Sequence, residues 1–284
     1  MIAKSILPIA KIFENTRDIL KKNNINQPEV EAKIIIDYVK GGNTSFTKIL
    51  SNTKIQQINT IIKKRLKGEP LSKIIKQKGF WNDIFYTNEN TLDPRADTEI
   101  LVEAILDDYN SMKNNNINFI DLCSGTGCIG LSILKELPNS HCTFIDISEE
   151  AMKINQLNAD LLKLTTRSKF LISDLLTNPN LNMNDNDFIV SNPPYIKSSD
   201  IKKLSFETLH DPLLSLDGGM DGGDYYRSIF KQLSQTNYKG HLYLEIDPNV
   251  RDLVTNLALD NNAKILYIKR DYLKLDRIIK IIFI

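Results

Sequence analysis

Cysteine, histidine and tryptophan are scarce in this chain of 284 residues, at three, three and one. Cys123, Cys128 and Cys142 form an odd set without zinc-site spacing, which fits a reducing, cytoplasmic setting. Cys123 and Cys128 read as small apolar packing residues. His141, His210 and His241 are too scattered for ligand spacing, so no metal is expected. No apolar run approaches the roughly 20 residues that span a bilayer, which excludes a membrane-spanning helix as the sequence-based expectation. The opening Met1–Pro8 is too soon broken by proline to read as a secretory signal. No internal repeat stands out, and Asn114-Asn115-Asn116 reads as a biased loop.

What is present is ample apolar material, 42% of the residues, and an uneven charge. The net charge is only +1, yet residues 1–80 hold 16 Lys and Arg against 6 Asp and Glu, and the remainder holds 20 against 29. Such a split suggests two modules with different partners. The lysines serve either as solvated helix faces or to steer an acidic macromolecule.

Residues 1–76 read as a small helical bundle. Ile9, Ile12, Phe13, Thr16, Ile19 and Leu20 keep a helical period. A second helix starts with Pro28 at its first position and ends at Gly41-Gly42. A third runs from Ser51 or Asn52 to Leu66, and Gly68-Glu69-Pro70 breaks it. Residues 77–95 read as a connecting β-hairpin, with Gly79-Phe80-Trp81 and Ile84-Phe85-Tyr86 flanking Asn82-Asp83. Residues 96–284 open with a helix from about Asp97 and then alternate strand and helix. Strands are expected at 118–122, 141–146, 169–173, 188–191, 241–246, 264–269 and 277–284, with helices at 128–137, 149–163, 224–235 and 249–260. The pattern is that of an α/β fold around a mostly parallel sheet. The last two strands have only a loop between them, so one must pair antiparallel.

The chemistry concentrates at strand ends. Asn192-Pro193-Pro194-Tyr195 follows the apolar strand 188–191. The Asn192 carboxamide both donates and accepts hydrogen bonds, the prolines stiffen the loop, and Tyr195 offers a flat face. Such a group grips a planar amide or amine and leaves one face of its nitrogen open. Upstream, Asp121-Leu122-Cys123-Ser124-Gly125-Thr126-Gly127-Cys128-Ile129-Gly130 joins the first sheet strand to a helix. Gly125, Gly127 and Gly130 match the dinucleotide pattern, a weak signal alone. Asp121 would repel a pyrophosphate and suits a cationic ligand. Asp146, ending the second strand, can accept both hydroxyl protons of a ribose, which fits NAD and S-adenosylmethionine equally. Asp174 is placed to border an adenine. Glu207 and Asp211 read as solvated loop acids, with substrate contact as the second reading.

With these residues in order, the chain resembles the class I S-adenosylmethionine-dependent methyltransferases, and more narrowly the HemK/PrmC family of protein-(glutamine-N5) methyltransferases. Gly68–Leu71, Pro94–Glu99, Asp121–Gly130, Asn192–Tyr195, Asp211-Pro212, Leu216–Gly219 and Asp221-Gly222 carry the resemblance. It departs from the usual text at Ala96, Asp247-Pro248 and Tyr272–Asp276. The resemblance implies a Rossmann-like, seven-stranded mixed sheet with the last strand antiparallel, and a helical substrate-recognition domain. It implies S-adenosylmethionine as cofactor, bound by Asp121, Cys123, Ser124, Gly125, Thr126, Gly127, Asp146, Ile147, Asp174, Leu175 and Asn192. Asn192, Pro193, Pro194 and Tyr195 would hold the substrate, the glutamine of the release-factor Gly-Gly-Gln motif, with Asn192, Pro193 and Tyr195 catalytic. The implied protein is a cytoplasmic monomer whose partner is a peptide chain release factor, with no nucleic acid required and no membrane.

The expected mechanism is positioning: Asn192 Oδ1 and the Pro193 carbonyl accept the two amide protons and hold the nitrogen in line with the methyl group. Rival readings are an adenine-N6 DNA or RNA methyltransferase, which grips an exocyclic amine the same way, and a methyltransferase of a ribosomal-protein glutamine. A non-catalytic cofactor-binding module and a NAD-dependent oxidoreductase stand behind these.

Overall fold

The computed structural model describes residues 8–41, 49–112 and 114–284. The expectations for Met1–Leu7 and Gly42 lie outside them. Two compact units divide the chain, Met1–Lys76 and Gln77–Ile284.

The first unit contains α1 (Ile9–Lys22), α2 (Pro28–Lys40), α3 (Asn52–Arg65) and the short α4 (Leu71–Ile75), which the sequence pattern did not announce. Pro28 occupies the first turn of α2, where its missing N–H costs nothing. Ser51 caps α3 by accepting the Lys54 N–H. The apolar stripes meet through Ile12, Leu20, Ile35, Ile55 and Ile58, each 2% exposed or less. A half-buried ion pair ties α3 to α2: the Arg65 guanidinium donates to both Glu31 carboxylate oxygens at 2.9–3.2 Å. Bidentate geometry of this kind offsets the cost of desolvating the pair.

The second unit begins with a hairpin, β1 (Gln77–Phe80) and β2 (Asp83–Tyr86). Its turn is Trp81-Asn82, one residue earlier than the sequence pattern suggests, because side chains of this unit hold it there. Glu99 accepts the Trp81 backbone N–H at 2.8 Å, and Glu136 accepts both the Trp81 indole N–H and the Asn82 amide. This register buries Phe80 and Phe85 among the core side chains, so the hairpin is an integral part of this unit.

Then follow α5 (Glu99–Tyr109), β3 (Ile117–Leu122), α6 (Cys128–Glu136), β4 (Ser140–Asp146), α7 (Glu149–Leu161), β5 (Ser168–Ile172), β6 (Phe188–Ser191), α8 (Asp224–Gln235), β7 (Gly240–Glu245), α9 (Arg251–Asp260), β8 (Ala263–Arg270) and β9 (Asp276–Phe283). The seven-stranded sheet has the order β5-β4-β3-β6-β7-β9-β8. Its strands from β3 to β7 pair in parallel, while the last strand, β9, runs antiparallel between β7 and β8. Helices cover both faces, so the central strands alternate between two cores. Phe119, Phe144, Phe188 and Val190 enter one; Ile120, Leu122, Ile145 and Ile189 enter the other. The alternation's mostly parallel α/β sheet is present, in the Rossmann-like, seven-stranded form that the resemblance implied. Where a customary glycine is missing from the β8–β9 turn, Lys274 takes up the left-handed conformation (φ +63). Asp247 caps a short turn at Pro248–Val250, which delays α9 to Arg251.

After β3 the chain crosses to β4 and β5, then returns to β6 beside β3. Strand order reverses there, and ligands bind at the carboxyl ends of strands beside such a reversal.

Candidate active site

Two cavities open at the carboxyl ends of β3, β4, β6 and β7, and Asn192 and Pro194 line both. The first is bounded by Cys123, Gly125, Asp146, Ile147, Asp174 and Leu175. The second holds Pro193, Tyr195, Arg95, Asp97, Glu245 and Arg277. The Asn-Pro-Pro-Tyr segment is therefore the wall between them. Register explains its place: Leu122 of β3 pairs with Ser191 of β6, and the Ser191 hydroxyl donates to the Leu122 carbonyl at 2.7 Å. The next residues of each strand, Cys123 and Asn192, leave the sheet side by side.

Of the segment Asp121–Gly130, Leu122, Cys123 and Gly125 line the first cavity. Ser124 and Thr126 are buried, and they fasten the loop to α7. Asn155 donates to Ser124 Oγ at 3.0 Å, and Asn158 donates to the Thr126 carbonyl at 2.9 Å. Gly127 is at φ +77, and a Cβ there would lie 2.2 Å from Asn155 Oδ1, so only glycine lets the loop turn into α6. Sequence spacing alone could not separate cavity-lining from loop-building positions.

Asp121 does not reach the cavity wall. The pleat of β3 puts it on the α6 side with Phe119, fully buried, and its Oδ2 accepts the Gly130 N–H at 2.9 Å. Its Oδ1 has no partner among the described residues, and burial drives its pKa well above the ordinary carboxylate range. Asp146, by contrast, lines the cavity. Its two oxygens accept the Gly125 and Ser148 backbone N–H groups at 2.8 and 2.9 Å. Burial raises its pKa, and these amide donors oppose the rise. Each oxygen keeps lone-pair capacity for a second donor from the cavity side. Asp174 is exposed at the rim and Leu175 is buried beside it.

The Asn192 side-chain N–H donates to Thr98 Oγ1 at 3.2 Å. That bond commits the amide nitrogen and leaves Oδ1 as an acceptor. The Tyr195 hydroxyl donates to Glu245 Oε1 at 3.4 Å, and its neighbourhood pushes the phenol pKa up, chiefly through burial. Glu245, at the end of β7, is 2% exposed, and burial raises its pKa to about 7. Sequence reasoning gave no role to Thr98, although it lies within Pro94–Glu99, nor to Glu245 or Arg277. A lone acid closing an apolar strand next to β6 was the available signal for Glu245.

Asp211 is not a solvated loop acid. It pairs with the Arg95 guanidinium and accepts the Asp93 N–H, tying the loop over the second cavity to the segment before α5. Glu207 is exposed. Cys128 and Cys142 are buried in the core, and burial pushes the Cys128 thiol up to about 12, which makes it a poor nucleophile. Among the described residues no His, Cys, Asp and Glu cluster could hold a metal ion, and no helix is long and apolar enough to cross a membrane.

Residues 89–211 match the Methyltransferase small domain family, and residues 11–75 match the PrmC N-terminal domain family. The release factor glutamine methyltransferase of Caulobacter vibrioides is 34% identical over 243 residues, covering 84% of this chain and 83% of that protein. The bifunctional methyltransferase of Rickettsia prowazekii is 32% identical over 96% of this chain, which spans only 57% of that longer relative. Among solved structures, the hMettl16 catalytic domain in complex with the MAT2A 3'UTR hairpin 6 superposes with a TM-score of 0.52 at 12% identity. The match covers 70% of this chain and 75% of that one, a likeness of fold alone.

Proposed function

This chain belongs to the release factor glutamine methyltransferase family, and from that premise we propose how its residues divide the work. It transfers a methyl group from S-adenosylmethionine to the side-chain amide nitrogen of a release-factor glutamine. The observation that carries the site assignment is the position of Asn192, shared by two cavities that meet at one carboxamide. The glycine-loop cavity takes the cofactor and the Glu245 cavity takes the glutamine of the Gly-Gly-Gln motif.

The residues present fit the cofactor. Asp146 holds the ribose hydroxyls on the side of its carboxylate turned from Gly125 and Ser148. Asp174, Leu175 and Ile147 border the adenine. Cys123 and Gly125 flank the methionine end. Asp121 supports the loop from behind by accepting the Gly130 N–H. The cofactor brings an already activated electrophilic methyl group, so no covalent enzyme intermediate is required.

An amide nitrogen is a poor nucleophile, because its lone pair is delocalised into the carbonyl. The protein's task is therefore orientation and charge stabilisation. Asn192 Oδ1, left free by the Thr98 bond, accepts one proton of the glutamine –NH₂, and the Pro193 carbonyl accepts the other. Both acceptors stabilise positive charge developing on nitrogen. Buried Pro193 and Pro194 keep the segment rigid, and Tyr195 helps exclude water. Recognition of the release factor falls to the helical unit, supported by its match to the PrmC N-terminal domain and by its basic excess.

Asp146→Asn is expected to weaken S-adenosylmethionine binding about 10- to 100-fold, the loss of charge-assisted hydrogen bonds to a ribose. Calorimetry reads it directly, and unchanged affinity would remove Asp146 from the cofactor site. The function itself is tested by mass spectrometry of a release factor after incubation with enzyme and cofactor. One added methyl on the Gly-Gly-Gln glutamine is expected. Methyl transfer to duplex DNA or RNA instead would favour the adenine-N6 reading.

A further inference from the structure

Glu245 is buried at 2% exposure, opens on the substrate cavity, and keeps its Oε2 without a hydrogen-bond partner among the described residues. An acid is costly to bury in such a place. The reading above gives it no task, although it stands at one end of a polar chain. The Asn192 amide donates to Thr98 Oγ1 at 3.2 Å. Thr98, itself 3% exposed, lies beside the Glu245 carboxylate, and the Tyr195 hydroxyl donates to that carboxylate.

We propose that Glu245 is a positioning residue for methyl transfer: through the Thr98 hydroxyl it sets which end of the Asn192 carboxamide faces the substrate nitrogen. This rests on the functional reading above, in which Asn192 Oδ1 accepts an amide proton.

Hydrogen-bond polarity links the state of the Glu245 carboxyl to the orientation of Asn192. A hydroxyl has one proton to donate. When Glu245 is ionised it only accepts, so Thr98 donates to it. Thr98 then has only lone pairs left for Asn192, whose –NH₂ turns towards Thr98 and whose Oδ1 turns towards the cavities. When Glu245 is protonated it can donate to Thr98. Thr98 then donates to Asn192 Oδ1, and the carboxamide presents a donor where an acceptor is required.

The groups around Glu245 come from several elements. Tyr195 follows β6, and Asp97 and Thr98 precede α5. Arg277 on β9 lies between Asp97 and Asp271, at 3.7 and 2.8 Å. Asp247 lies just beyond β7, and the Tyr226 hydroxyl of α8 donates to the Glu245 main-chain carbonyl. Burial outweighs Arg277, Thr98 and Tyr195 and leaves the carboxyl titrating at about 7. The ionised form is the ordered, active one. At saturating cofactor and protein substrate, kcat therefore rises with pH through about 7.

The experiment is the pH profile of kcat for wild type, Glu245→Gln, Thr98→Val and Thr98→Ser, acting on a purified release factor. With the Tyr195 hydroxyl donating to the carbonyl oxygen of the Glu245→Gln amide, its –NH₂ is left for Thr98 at every pH, so kcat should fall about 10- to 100-fold and lose the acid limb. Its cofactor affinity, read by calorimetry, should stay near that of wild type. Thr98→Val should match that loss, and Thr98→Ser should restore most of the rate. Glu245→Gln should also raise the melting temperature above pH 7. The folded carboxyl titrates above its ordinary 4.5, so its contribution to stability is present at low pH and lost as pH rises towards 7. A residue kept only for structure would lower the melting temperature instead.

An active wild type with no limb near pH 7, or a Glu245→Gln variant with wild-type kcat, would overturn the inference alone. The wild-type profile keeps that test available should a variant fail to fold. A wild type that leaves the glutamine unmethylated would overturn the functional reading and this inference together.

Discussion

Asn192→Ala should lower kcat about 10²- to 10³-fold, the usual cost of removing one preorganised polar group from a charge-developing centre. The substitution deletes the Oδ1 acceptor and frees Thr98 from its 3.2 Å bond. It leaves the Asp146 end of the first cavity, where its carboxylate is held by Gly125 and Ser148, untouched. Cofactor affinity should accordingly change by less than about tenfold, because a single neutral hydrogen bond contributes about 1 kcal/mol. Asn192→Asp is the sharper companion. It keeps the shape and the acceptor but loses the donor to Thr98, and it adds a negative charge near Glu245. It should be as impaired as the alanine variant. Single-turnover kinetics with a release factor measure both, and wild-type turnover in either variant would refute the clamp.

Gly222→Ala is expected to act almost as strongly without touching substrate. Gly222 has φ +84, and a Cβ there would sit 2.4 Å from the Tyr195 carbonyl oxygen and 3.1 Å from Val250. Backbone cannot yield as a flexible side chain does, so the Pro194-Tyr195 segment must shift. Gly218 reinforces the point: its Cβ would meet Tyr195 Cα at 2.7 Å and the Pro194 carbonyl at 2.8 Å. The return loop is bonded to the same segment through the Ile196 and Gly218 N–H groups at 3.0 and 2.8 Å. A displacement of about 1 Å at the wall between the two cavities can cost about 100-fold in kcat if the reaction takes place there. Gly41→Ala separates strain from clash. Gly41 has φ +92 but nothing within 4 Å of its built Cβ. It should cost about 1–2 kcal/mol of stability and leave kcat intact. If Gly222→Ala behaved like Gly41→Ala, the close packing behind the tetrapeptide would carry no catalytic weight.

Much of the fold was legible because burial imposes periods that composition must obey. The strands from Ile117 to Phe283 lie within about one residue of their expected limits, since each apolar stretch is bounded by loop residues. The hairpin turn was misplaced by one residue. Its apex is set by Glu99 and Glu136, which stand 18 and 55 positions from Trp81. α4 was missed because five residues carry too little periodicity to announce a helix.

The lining of the two cavities was legible where a motif is local. Asn192–Tyr195, Gly125 and Asp146 could be named because each lies at a strand end. The burial of Asp121 could not be read off, because it depends on which face of β3 receives α6. Nor could the partnership of Asn192 with Thr98, 94 residues away, or of Tyr195 with Glu245, 50 residues away.

By itself the chain's order of residues determined the parallel sheet, the glycine turn and the rigid Asn-Pro-Pro-Tyr segment after β6, because these follow from local sterics and alternation. Only the tertiary structure decided which polar groups meet behind that segment, Asn192 with Thr98 and Tyr195 with Glu245. Hydrogen bonds act over about 3 Å, and folding alone brings such distant positions within that reach.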